Sequence, residues 1–250
     1  MNFVVFDTET ISINKPFCYD IGYVIANERG EMLKKVNYLV AEIWNNAPLF
    51  ETAYYAEKRP KYEELLKEKT IKKNRFEKII EYMQNDFDGY EIQYALAYNS
   101  KFDEKVFNFN CEWFHCINPF DNITIKDIRG YAHNFICKGD YISFCEKNNL
   151  FTEAGNYSTT AEAVYRYIMN DTDFIEAHTA LNDAEIELAI LMYCLDYNIN
   201  CTLDSEYPTK ISIPRKVEKE LHITTPEHTD YYFKYNSIKI SKDKTEITLK

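Results

Sequence analysis

The sequence predicts an α/β fold: a mixed five-stranded sheet flanked by helices, followed by a C-terminal β appendage. Three observations predict it. Short apolar runs separated by turn residues fill the first forty positions, strand-like and helix-like segments alternate through residue 195, and beyond residue 200 the chain becomes Pro-punctuated and strand-rich. With 250 residues, 46% of them hydrophobic, one sizeable core is affordable, and no internal repeat or Gly/Ser linker divides it.

The elements follow in order. Phe3-Val4-Val5-Phe6 suits a central strand and Asp20 to Ile25 a second. Glu31 to Val40 makes a third, with Asn27-Glu28-Arg29-Gly30 as the turn before it. The charged stretch 57–75 reads as a solvated helix, and Phe76, Ile79, Ile80, Met83 and Phe87 recur on one face of the next. Ile92 to Tyr98 is a fourth strand. Phe102, Val106, Phe109 and Trp113 give a helix capped by Asn99 or Ser100, and Ile123 to Ile128 gives the fifth strand. Thr159 and Glu162 stand in capping-box spacing before a helix carrying Ala161, Val164, Tyr165 and Ile168. Leu181, Ala184, Leu188, Leu191 and Leu195 mark a long amphipathic helix. Residues 231–240 and 245–249 read as strands around Ser241-Lys242-Asp243-Lys244, so the expected division is a domain over 1–200 and a β-hairpin extension over 201–250.

Composition narrows the function. A net charge of -11 disfavours a surface that neutralises long duplex DNA, and a phosphate-handling site in such a chain needs bound cations. No apolar run is long enough to span a membrane, and Asp7 and Glu9 interrupt the N-terminal one, so no signal peptide is expected. Seven scattered cysteines, an odd number, read as reduced thiols; together these features predict a soluble, cytoplasmic protein.

Three short segments carry the chemistry. Asp7 and Glu9 close the first strand, where period-two alternation aims both carboxylates at one space. Like charges about 4 Å apart repel by roughly 4 kcal/mol at an effective dielectric of about 20, a cost that cations relieve. Asp103 falls in the first turn of the helix that follows a strand, where the helix dipole favours an acid. His178 and Asp183 are about 140° apart around a helix axis, so they share a site only if His178 lies in the entering loop and Asp183 in the first turn.

Taken together, Val4-Val5-Phe6-Asp7-Thr8-Glu9-Thr10, Ala97-Tyr98-Asn99-Ser100-Lys101-Phe102-Asp103 and His178-Thr179-Ala180-Leu181-Asn182-Asp183-Ala184 resemble the three motifs of the DEDDh (DnaQ-like) exonucleases. The resemblance covers roughly residues 1–195 and departs from the family at three places. Ile11-Ser12 stands where a Thr-Gly turn is usual, Tyr98 where a His often precedes the Asn, and Thr179 where an Arg often follows the His. It implies an RNase H-like fold and 3′-to-5′ removal of nucleotides with two divalent ions, Mg2+ or Mn2+. Asp7 would bridge the ions, Glu9 and Asp183 complete the shell of the first, and Asp103 hold the second largely through water. Hard oxygen ligands suit such ions, and two of them about 3.5–4 Å apart stabilise both attacking and leaving oxygens. His178 would be the general base, its imidazole able to take a proton near neutral pH. The expected partner is the 3′ end of single-stranded DNA or RNA. The alternative is a nucleic-acid- or partner-binding module that retains the fold without turnover.

Overall fold

The computed structural model describes residues 1–198, 200–208 and 211–215, together with the backbone of four later strands. The first apolar runs form an antiparallel meander of β1 (Asn2–Thr10), β2 (Cys18–Asn27) and β3 (Met32–Val40). Both faces of β2 are buried along nearly its whole length, which is why it reads as a continuous apolar run instead of an alternation. Two single-turn helices, α1 (Ala41–Trp44) and α2 (Ala47–Phe50), a 3-10 turn (Ala56–Lys58) and α3 (Arg59–Glu68) follow.

The sheet has six strands where five are expected. The additional one, β4 (Lys72–Asn74), lies inside the charged stretch read as helix and pairs in parallel with Tyr38–Val40 of β3. Its Lys-Lys-Asn sequence has no apolar alternation to reveal it. As an edge strand it is made by backbone pairing, and lysines at an edge discourage further strand addition. After β4 come α4 (Phe76–Gly89), β5 (Tyr94–Ala97), α5 (Lys101–Phe114) and β6 (Thr124–Asp127). The sheet order is β4-β3-β2-β1-β5-β6, with β5 parallel to both β1 and β6.

The second half is helical: α6 (Ile128–Ile136), α7 (Gly139–Lys147), α8 (Ala161–Met169) and α9 (Ala180–Tyr197). Val4 and Phe6 of β1 face a core shared with α4 and α5, while Phe3 and Val5 face a second core shared with α6 and α9, so the sheet lies between two helical layers. Two helices differ from expectation in detail. In α5 the buried face is Asp103, Val106, Phe107, Asn110 and Cys111, and Trp113 is 60% exposed with its ring edge-to-face against Phe17. The cap of α8 is Thr160, not Thr159, because the Thr160 side chain accepts from the Ala163 N–H and frees Glu162 for another contact.

Beyond α9, Cys201, Leu203, Ile211 and Ile213 pack into the second core, and the Arg129 guanidinium donates to the Ile211 carbonyl. Further on, β7 (Lys219–Thr224) pairs with β8 (Asp230–Tyr235) and β9 (Ile238–Ile240) with β10 (Ile247–Leu249), each antiparallel. The expected turn at 241–244 lies outside the described residues.

Candidate active site

Strand β1 runs beside the parallel strand β5, and the site forms where the C-terminal ends of these strands meet the starts of α5 and α9. Asp7 and Glu9 occupy the last part of β1. In register across β2, Asp7 lies opposite Gly22 and Glu9 opposite Asp20. Those two β2 residues bring α9 down onto the strands. A Cβ on Gly22 would stand 2.1 Å from the Leu181 backbone N and 2.2 Å from the Ala180 carbonyl carbon, so only glycine allows this approach. The fully buried Asp20 carboxylate accepts from the Ala180 N–H (3.0 Å), the Tyr62 hydroxyl (2.7 Å) and the Asn37 amide (2.5 Å). One carboxylate thereby ties β2, β3, α3 and the first residue of α9 together.

With α9 fixed at Ala180, His178 lies in the entering loop and Asp183 in the first turn. His178 has φ of 47°, a left-handed conformation uncommon for a non-glycine residue and characteristic of positions that the surroundings over-determine. One ligand atom each from Glu9, His178 and Asp183 lie within 4.8 Å of one another. Asp103 arrives from α5, only 3% exposed, and accepts a 2.6 Å hydrogen bond from the Thr8 hydroxyl. The turn before it is shaped by Asn99, left-handed at φ of 65°, whose N–H donates to Asp127.

Electrostatics place Asp7 among the same groups. Burial and then the charges of Asp103, Glu187, Asp183 and Glu9 hold its carboxyl well above the usual range. Burial and neighbouring acids push Glu9 up to about 9 and Asp183 to about 8, while Lys58 opposes both shifts. Burial likewise raises Asp103 to about 7, against the Thr8 hydrogen bond. His178 is lowered by burial and by Lys58. Among the described residues, the buried Oδ1 of Asp183 has no hydrogen-bond partner. An orphaned carboxylate oxygen among acids that resist ionisation is the donor environment that a hard divalent cation satisfies, so these residues fit such an ion.

Three functional candidates carry no sequence motif. Glu187, 3% exposed, lies one turn after Asp183 on α9 and accepts from the Tyr98 N–H at 3.0 Å, joining α9 to the β5–α5 turn. Its i,i+4 relation to Asp183 is the signal that finds it. Glu176 lies beside the imidazole of His178, and Asp20 secures the helix start described above. Beside the site, a cleft of about 560 Å³ is lined by Glu9, Ile11, Tyr54, Tyr55 and Phe102 among others.

No family model matches the chain, and no curated protein does. Solved structures do. Escherichia coli (E. coli) Exonuclease I in complex with a dT13 oligonucleotide aligns with 78% of this chain and 41% of that one, at 12% identity and a TM-score of 0.50. The same protein with a 5cy-dT13 oligonucleotide aligns over 78% and 42%, at 12% identity and 0.50. A further structure of exonuclease I, described as suggesting how processivity is achieved, gives 14% identity over 78% and 42%, again at 0.50. The class is therefore an exonuclease-like α/β fold. The chain spans about two fifths of the length of the proteins it matches, and at these identities the likeness is one of fold.

Proposed function

We propose that this chain is a metal-dependent 3′-5′ exonuclease of the DEDDh type, hydrolysing phosphodiester bonds at the ends of single-stranded DNA or RNA. The observation that carries the proposal is the meeting of Glu9, His178 and Asp183 within 4.8 Å, with a buried carboxylate oxygen of Asp183 left without a partner. Asp7, Glu9, Asp103 and Asp183 are the residues assigned to hold two Mg2+ or Mn2+ ions. Such ions, when bound, supply Lewis-acid stabilisation of the attacking and leaving oxygens.

The chain's own groups do the rest. His178 takes a proton from the attacking water; its oxygen bonds to phosphorus as the bond to the 3′ oxygen breaks, and that departing oxygen takes a proton from solvent water to become the new 3′-hydroxyl. Its lowered proton affinity keeps the imidazole in the accepting form at neutral pH. Thr8 and Asp20 hold Asp103 and the start of α9 in place, which limits the reorganisation needed at the moment of reaction. The cleft beside Glu9 offers Tyr54, Tyr55 and Phe102 as aromatic surfaces on which the bases of a flexible strand stack. Complexes of the fold neighbours with oligonucleotides support a single-stranded substrate. Seven unpaired cysteines support a reducing, cytoplasmic setting.

The test uses end-labelled single-stranded DNA and RNA with Mg2+, Mn2+ or chelator. Stepwise shortening from the 3′ end is expected with either ion and none with chelator. Asp7→Ala should lose at least about 10³-fold in rate. A wild-type chain that binds these strands but leaves them uncut with every ion would instead be the non-catalytic module.

A further inference from the structure

Glu176 is used by none of the steps above, yet it faces the one group that must move a proton. Its Oε2 stands 3.6 Å from His178 Nδ1. That separation is slightly longer than a hydrogen bond, and a small rotation of either side chain closes it. The position of Glu176 is itself held: its N–H donates to Glu162 Oε2 at 3.0 Å, and Glu162 pairs with Arg166 at 2.8 Å. Arg166 Nε donates to the Phe174 carbonyl at 2.7 Å, so helix α8 grips residues 174–176 from its polar side.

The imidazole is held from other directions too. Tyr55 stacks on its face, centroids 4.6 Å apart and planes 14° from parallel. Lys58 donates to the Ala177 carbonyl at 2.8 Å and lies 4.2 Å from the centre of the Tyr55 ring. A ring covered on one face, with a carboxylate at one nitrogen, has one nitrogen left for chemistry.

We infer that Glu176 is a positioning residue for the proposed base: by accepting from Nδ1–H it fixes the His178 tautomer that leaves the Nε2 lone pair free to take the proton of water. The inference rests on the exonuclease reading for its catalytic consequence, although the pairing itself does not. An imidazole without such a partner favours the opposite tautomer, with the proton on Nε2 and the base blocked. As the proton arrives at Nε2, the carboxylate also stabilises the imidazolium.

Nitrogen-15 NMR of the five histidines, assigned with His178→Ala, reads the tautomer directly. Spectra belong at mildly alkaline pH, where Glu176, pushed up to about 7 by burial and by Glu162, is ionised. Wild type should show Nδ1–H at His178 and Glu176→Ala should show Nε2–H. Glu176→Gln, whose amide oxygen can accept from Nδ1–H, should keep the wild-type signature. In turnover, Glu176→Ala should lower kcat about 10- to 100-fold with KM unchanged, and Glu176→Gln should recover most of it. An unchanged tautomer in Glu176→Ala, or a raised KM at constant kcat, overturns the inference. If wild type cuts no strand while the tautomer still shifts with Glu176, the exonuclease reading fails and the pairing stands.

Discussion

At the scale of single residues, the site depends on groups whose ordinary ionisation the fold opposes. Asp7, Glu9, Asp103 and Asp183 are all pushed above the carboxylate range, with burial as the first cause in each. His178 is the exception, since burial makes it a weaker acceptor but keeps it unprotonated at neutral pH. Replacing it tests the assigned role with little structural risk, because its side chain is partly exposed and stacks on Tyr55 near the surface. His178→Ala should cost about 10²- to 10⁴-fold in rate while leaving the thermal midpoint within a few degrees of wild type. Equal rates for the two proteins would remove His178 from the chemistry. The meeting of Glu9, His178 and Asp183 was legible because each lies at the end of a strand or the start of a helix within a motif. Asp20 and Glu176 carry no such signal, and Glu187 only its i,i+4 spacing from Asp183; their contacts, 160, 2 and 89 residues away in the chain, appear only in the fold.

At the scale of elements, the contact of α9 with β2 decides whether the site exists. Gly22 is the only residue that lets the backbone at Ala180 and Leu181 approach so closely, and the obstructing atoms are main chain, which cannot step aside as a flexible side chain would. Gly22→Ala should destabilise the protein by at least about 3 kcal/mol, measured by denaturant unfolding, and should lower activity further in the fraction that stays folded. A stability equal to wild type would mean that α9 does not seat as described. Apolar spacing revealed α4, all five of whose stripe residues are buried, and five of the six strands of the main sheet. It missed β4 and β7, which pair through their backbones, and it underestimated α9, where Asp183 and Glu187 are buried along with Leu188 and Leu191. Periodicity reports apolar burial and is blind to buried acids.

For the whole molecule, the acid cluster links stability to pH and to cations. A carboxyl with a raised value in the folded state binds its proton more tightly there than in the unfolded chain. The folded state is therefore favoured at low pH and loses that advantage as pH rises. For Glu9 the window runs from about 4.5 to about 9, with Asp183 and Asp103 contributing up to about 8 and about 7. In chelator the thermal midpoint should fall as pH rises through that window. Millimolar Mg2+ or Mn2+ should raise the midpoint most at the alkaline end, where the carboxylates are ionised and ready to bind. A midpoint equally insensitive to pH with and without the ions would separate the acids from any cation site. The net charge of -11 acts in the same direction, since a chain this acidic repels a polyanionic strand unless cations intervene.

The distribution of these groups along the chain has a consequence for biosynthesis. Asp7 and Glu9 leave the ribosome first, and His178 and Asp183 follow only after every strand of the main sheet has been made. No shorter nascent fragment can bring Glu9, His178 and Asp183 together, so the acid cluster closes only after the main sheet and the start of α9 have both been made.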